Sequence, residues 1–153
     1  MANYESNPFV INCIFWDNTS YGIYNYSSVS VVLYSDVQGG YAGTGNIDAD
    51  PCFVDANNPD PNLWNLRLQP DSPCIDAGDT TALPAGIFAD AGGNLRGVDD
   101  PARADTGISF LGVTVDMGAY EFQLCQIAGD INCDGVVDFK DLAILCGNWL
   151  KGK

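Results

Sequence analysis

Residues 7–18 read Asn-Pro-Phe-Val-Ile-Asn-Cys-Ile-Phe-Trp-Asp-Asn, and residues 29–40 read Val-Ser-Val-Val-Leu-Tyr-Ser-Asp-Val-Gln-Gly-Gly. Setting Asn12-Cys13 on Tyr34-Ser35 places Val10 on Val32, Ile11 on Leu33 and Phe15 on Val37, an offset of 22 residues. Between the two stretches, Gly22-Ile23-Tyr24-Asn25-Tyr26 alternates like a further short strand. A period in the low twenties, with short strands and Asn/Gly/Ser corners, predicts a coiled β solenoid in which each turn buries its inward residues only against its neighbours. Two turns alone leave an open end, so further turns are expected upstream.

The rhythm changes after residue 56. Asn57-Asn58-Pro59-Asp60-Pro61-Asn62 reads as a loop. Trp64, Leu66 and Leu68 then alternate with Asn65, Arg67 and Gln69, the pattern of a half-buried strand. Trp64 is expected in the core, with a sugar-stacking platform as the alternative. Residues 79–114 are loop-rich, with turns at Asp90–Arg96 and Asp99-Asp100-Pro101, and Phe110 to Val115 reads as a short strand. This half is expected to cap the solenoid and shield its last strand edges. The division expected is 1–56 solenoid, 57–123 cap and 124–153 a separate tail.

The tail carries the clearest chemistry. Counted from Asp130, oxygen-bearing side chains fall at positions 1, 3, 5, 9 and 12: Asp130, Asn132, Asp134, Asp138 and Asp141. Gly135 stands at position 6, and Val136 at position 7 offers its carbonyl. This is the ligand schedule of an EF-hand-type Ca2+ loop, where a hard cation needs six to eight oxygens and alternate residues must converge. Val137 at position 8 is expected to tie the loop to a core. Leu142, Leu145, Cys146, Trp149 and Leu150 follow at helical spacing, so a helix with one apolar face is predicted. The competing reading is an Asp/Asn/Gly-rich turn that holds no ion.

Composition narrows the functions. The chain has 153 residues, six Lys+Arg against 20 Asp+Glu, a net charge of −14 and no histidine. Nucleic acid is excluded as a partner because phosphate binding rests on Lys and Arg. No apolar run approaches a membrane span. Without histidine, Ser-His-Asp and Cys-His catalysis and His-ligated metal sites are ruled out. Few charged residues beside abundant Gly, Asn, Ser and Tyr suit a protein outside the cell or on its surface. No signal peptide opens the chain. The six cysteines, Cys13, Cys52, Cys74, Cys125, Cys133 and Cys146, allow fifteen pairings. A Cys52–Cys74 bridge and a second among the three C-terminal cysteines are favoured, against buried free thiols.

Two resemblances follow. Residues 12–18, 22–25, 34–39 and 45–55, with Ser-Pro-Cys-Ile-Asp-Ala-Gly (72–78) and Val-Asp-Met-Gly-Ala-Tyr-Glu-Phe (115–122), resemble the last rungs of bacterial right-handed parallel β-helix proteins of the pectin-lyase-like, choice-of-anchor Q type. The resemblance implies a mostly β fold: a right-handed parallel β-helix end, a loop-rich cap and a short calcium loop-helix tail, on a secreted or surface-attached protein. The loop and helix at 125–153 resemble one type I dockerin repeat, with Asp where EF-hands usually carry Glu. That implies Ca2+ and a cohesin-like or cell-surface protein partner through the helix. Positions 10 and 11 are Phe139 and Lys140 rather than the Ser-Thr pair of many cohesin-reading dockerins.

An active site is hard to find in the chain. Lyases on the β-helix fold use Ca2+ and an Arg or Lys base, and residues 1–60 contain neither Arg nor Lys. A glycosidase needs two carboxylates at defined separation. Asp48 and Asp50, with Asp36 one rung before, are candidates, but solvated corners or a minor ion site suit them better. Asp76 and Asp79 read as turn formers. Three functions stay open: a noncatalytic extracellular module with a calcium-binding docking tail, the end of a polysaccharide lyase or glycoside hydrolase with its groove upstream, and a surface adhesin.

Overall fold

The computed structural model describes residues 1–19, 22–123, 129, 131 and 137–149. It divides into two compact units, Met1–Phe122 and Gln123–Lys153.

In the first unit the 22-residue offset is the strand register. Strand β1 (Ala2–Tyr4) pairs in parallel with β4 (Tyr24–Tyr26), β2 (Phe9–Ile11) with β5 (Val31–Leu33), and β3 (Ile14–Phe15) with β6 (Asp36–Val37). Val10 lies opposite Val32 and Ile11 opposite Leu33. The corners repeat as well. Glu5 and Ser27, Asn12 and Tyr34, and Asp17 and Gly39 all adopt positive φ. Such angles are uncommon for a residue bearing a Cβ, so these corners are held by their neighbours. Side chains bridge the same interval: Asn3 Nδ2 donates to Asn25 Oδ1 at 2.8 Å, and the Cys13 amide to Ser35 Oγ at 3.1 Å.

The expected parallel β-helix is not what the strands build. Among the described residues they form four separate two-stranded sheets, three parallel and one antiparallel, and none closes or extends into a solenoid. The third pass shows why. It returns after only 11 residues and adds a single parallel bridge, Asp36 to Ile47. A side chain takes the role a third strand would play: Asn46 Oδ1 accepts from the Ser35 amide at 3.0 Å, and Asn46 Nδ2 donates to the carbonyls of Val32 and Tyr41. Gly43 makes this closeness feasible, since a Cβ there would collide with the Val32 carbonyl. The chain then reverses, and β7 (Phe53–Asp55) pairs antiparallel with β8 (Asn65–Leu68).

Beyond β8 the backbone is irregular apart from a short 3-10 turn at Thr80–Ala82. The expected Phe110–Val115 strand is a tight reversal instead, with Phe110 bridging Val113 and Leu111 and Gly112 at positive φ. Two apolar clusters hold the unit. Val10, Val32 and Val37 form one. Leu68, Cys74, Ile75, Ala77 and Met117 form the other, against Ile14, Tyr34, Ile47 and Phe53 of the strand region. Trp64 is not core. It is 44 % exposed, its indole N–H donating to the Asn58 carbonyl at 2.8 Å. The expected Cys52–Cys74 bridge is absent, and Cys13, Cys52, Cys74 and Cys146 are free thiols. Cys125 and Cys133 lie outside the described residues.

In the second unit the predicted helix is present as α1 (Phe139–Trp149). Its face is apolar but uncovered: Leu142, Leu145 and Cys146 are exposed, and Trp149 is 74 % exposed. Leu150 lies outside the described residues. Val137 is exposed rather than tied into a core.

Candidate metal centre

Of the six predicted loop ligands, Asp138 and Asp141 fall among the described residues. Asp130, Asn132, Asp134 and Val136 lie outside them. Asp141 is only 2 % exposed. Its Oδ1 accepts from the Ile131 amide and its Oδ2 from the Asp138 amide, both at 2.7 Å. Asp138 in turn accepts the Lys140 amide at 2.7 Å, with Lys140 Nζ 3.8 Å from its Oδ2. Asp138 thus caps the start of α1 through the Lys140 amide while Asp141 reaches back to the Asp138 amide, satisfying donors that a helix N-terminus leaves orphaned. Helix capping explains the bond between positions 9 and 12. It does not require the bond from Ile131, which brings loop position 2 onto the position-12 carboxylate.

The first unit contains a different acidic chemistry. Asp36 is fully buried, its Oδ1 accepting from the Ala49 amide at 3.2 Å and its Oδ2 from the Cys74 thiol at 3.4 Å. Burial raises the Asp36 carboxyl above the usual range, and burial followed by the adjoining Asp36 charge pushes the Cys74 thiol up. A thiol so raised is not a nucleophile. Asp48 accepts from the Gly39 amide and Asp50 from the Cys52 amide, so both carboxylates hold backbone turns, and their charges add to the upward shift of Asp36.

Sequence reading missed the centre of this unit. Asp116 is buried, and its Oδ1 and Oδ2 accept the amides of Asp76 and Phe122. Glu121, also buried, accepts the amides of Gly97, Val98 and Asp116, with Arg96 Nε 3.9 Å from its Oε2. Asp90 accepts the Glu121 amide. Burial, then the nearby Glu121 charge, raises Asp116 to about 8, and burial raises Glu121 as well. The signal available in the sequence was Asp116-Met-Gly-Ala-Tyr-Glu121, where two acids flank apolar and small residues. Asp79 does form a turn, capping Thr80–Ala82 through the Thr81 amide. Asp76 also lies in a turn, at φ 51°, while its Oδ2 accepts from the distant Asp100 amide.

The arginines are committed to structure. Arg67 lies over the Tyr120 ring at 4.8 Å. Arg96 donates to the Asp116 and Gly118 carbonyls, and Arg103 to those of Ser72 and Pro70. An open cleft of about 300 Å3 runs beside Asn12, Leu83, Ile87, Asp90 and Arg96. Its polar side chains already serve the fold: Asn12 exchanges two bonds with the Asp79 backbone, and Asp90 accepts from Gly92, Asn94 and Glu121. Among the described residues no helix is long and apolar enough to cross a membrane. No family model, curated protein or solved structure matches the chain.

Proposed function

We propose that this chain is a noncatalytic extracellular or cell-surface module whose dockerin-like tail binds Ca2+. The tail spans residues 124–153, and the ligands are the side chains of Asp130, Asn132, Asp134, Asp138 and Asp141 with the Val136 carbonyl. The observation that carries the reading is the buried Asp141 carboxylate, which gathers amides from positions 2 and 9 of its own loop. Position 12 is where an EF-hand-type loop closes on its ion. A carboxylate already buried and turned toward its own loop fits that place. Bound calcium would supply charge neutralisation for the acids converging on it.

The exposed apolar face of α1 supports docking to a protein partner of cohesin-like type. The arginine commitments and the raised Cys74 thiol give the enzyme readings no support among the described residues. The low content of charged side chains supports an extracellular setting, whereas the free Cys52 and Cys74 thiols withdraw the disulfide argument for it.

The test is calorimetric titration of CaCl2 into the intact chain and into an Asp130→Ala/Asp134→Ala variant. The reading expects the variant to lose one saturable equivalent, and Ca2+-dependent retention of the intact chain on an immobilised cohesin-like domain. Equal binding by both chains overturns the calcium loop. Calcium binding without retention overturns the docking partner alone.

A further inference from the structure

Asp76 is the most anomalous side chain of the first unit. It is 0 % exposed, and its Oδ1 has no hydrogen-bond partner. A buried carboxylate oxygen left unpaired is costly, because nothing replaces the water it gave up. Its backbone sits at φ 51°, while its carbonyl accepts the Thr106 amide at 2.9 Å and the Gly107 amide at 3.2 Å. The neighbouring loop is therefore fastened to Asp76 from one side and brings acids to the other. Carboxylate oxygens of Asp76, Asp99 and Asp105 lie within 4.8 Å of one another.

The surroundings make the anomaly sharper. Arg103 is spent on Asp100, 3.8 Å away, and on two backbone carbonyls. Among the described residues no lysine or arginine pairs with Asp76, Asp99 or Asp105. Three carboxylates thus share one small space with no cation from the described residues, in a protein of net charge −14. Burial, and after it the charges of Asp99, Asp105 and Asp100, shift the Asp76 carboxyl upward.

We infer that Asp76, Asp99 and Asp105 form a second, independent cation site in the Met1–Phe122 unit, one suited to Ca2+. Oxygens that share one calcium at 2.3–2.6 Å can be no more than about 5 Å apart, which the cluster satisfies. The donors are all hard oxygens, as Ca2+ and Mg2+ require, and soft or imidazole ligands are missing. Two of the three come from an irregular segment, which accommodates the variable geometry of calcium better than the strict octahedron of magnesium. An ion here would meet the orphaned Asp76 Oδ1 and fasten the 99–105 segment to the apolar cluster that Ile75 and Ala77 join. The site would make folding of the first unit calcium-linked, since an ion that binds the folded state alone stabilises it by mass action.

The experiment uses the full chain carrying Asp130→Ala/Asp134→Ala, so that the tail loop is silent, with and without Asp99→Asn/Asp105→Asn. Asp99 is half-buried and Asp105 exposed, so both changes spare the core. CaCl2 titration at pH 7 is expected to show one saturable equivalent, weakened at least tenfold by the Asn pair, and MgCl2 is expected to bind more weakly. Thermal unfolding supplies a readout that mere damage cannot imitate. In EDTA the Asn pair should unfold at a higher temperature than its parent, because repulsion is relieved, and in excess calcium at a lower one. A silent-tail chain that takes up no calcium overturns the inference, as does binding unaffected by the Asn pair. If the intact chain binds one equivalent that vanishes with Asp130→Ala/Asp134→Ala, this inference fails and the tail reading stands. If that one equivalent vanishes instead with Asp99→Asn/Asp105→Asn, the tail reading fails.

Discussion

Asp116 and Glu121 adjoin inside the first unit: the Asp76 amide donates to Asp116, Glu121 accepts the Asp116 amide, Asp90 accepts the Glu121 amide, and Arg96 lies beside Glu121. Burial, and for Asp116 the Glu121 charge beside it, raise both carboxyls above the usual range. Asp116 is raised to about 8 when folded, against about 3.9 in an unfolded chain. A raised carboxyl contributes stability that is complete below the unfolded value and disappears as pH rises through the folded one. Thermal unfolding in EDTA should therefore show the midpoint falling between pH 5 and pH 8.5. A loss on the order of 2 kcal/mol corresponds to roughly 5 °C for a chain of this size. A midpoint that is flat or rises over that interval contradicts the assignment. Glycine at position 107 provides a second residue-scale test. A Cβ there would collide with the Gly78 carbonyl and the Ala77 backbone, neither of which can rotate away. Gly107→Ala should cost about 3 kcal/mol by overpacking, read as a shift in the urea midpoint.

At the scale of elements, what was legible was local and periodic. The apolar repeat of Val10 with Val32 and Phe15 with Val37 gave the correct register because parallel strands must set like residues side by side. The extension of that repeat into a solenoid failed at one point, the 36–47 pass. There Asn46 satisfies backbone groups that a strand would have satisfied, and a single polar side chain leaves no periodic trace. Trp64 was misplaced for a related reason. Its alternation with Leu66 and Leu68 was real, but the Asp60-capped turn at Pro61–Leu63 leaves it at the strand's exposed entrance. The helix α1 was legible from its spacing, and its cap separates two roles of Asp138. Asn caps a helix about as well as Asp but carries no charge. Asp138→Asn should keep the calcium-free helix signal in far-UV circular dichroism and weaken Ca2+ binding. Asp138→Ala should lower both, with about 1 kcal/mol lost from the cap. If Asn and Ala behave alike without calcium, Asp138 is not acting as a cap.

For the whole molecule, the separation into Met1–Phe122 and Gln123–Lys153 decides which properties should travel together. The acids of the first unit, Asp36, Asp76, Asp116 and Glu121, are all buried there. They were invisible as a group in the sequence because they are up to 85 residues apart and meet only once the irregular half has folded over the strand region. Among the described residues, long-range bonds tie the two halves of this unit: Asn12 to Asp79, Cys74 to Asp36, Gly118 to the Asn12 carbonyl. The stability of that unit should consequently reside in its own contacts. Deleting the tail after Gln123 should shift its unfolding midpoint by no more than about 3 °C, the equivalent of ~1 kcal/mol for a chain of this size, measured in EDTA so that no ion contributes. The same truncated chain should retain the calcium equivalent assigned to Asp76, Asp99 and Asp105, and its retention on a cohesin-like domain should vanish. A midpoint lowered by much more would mean that the first unit draws its stability from the tail.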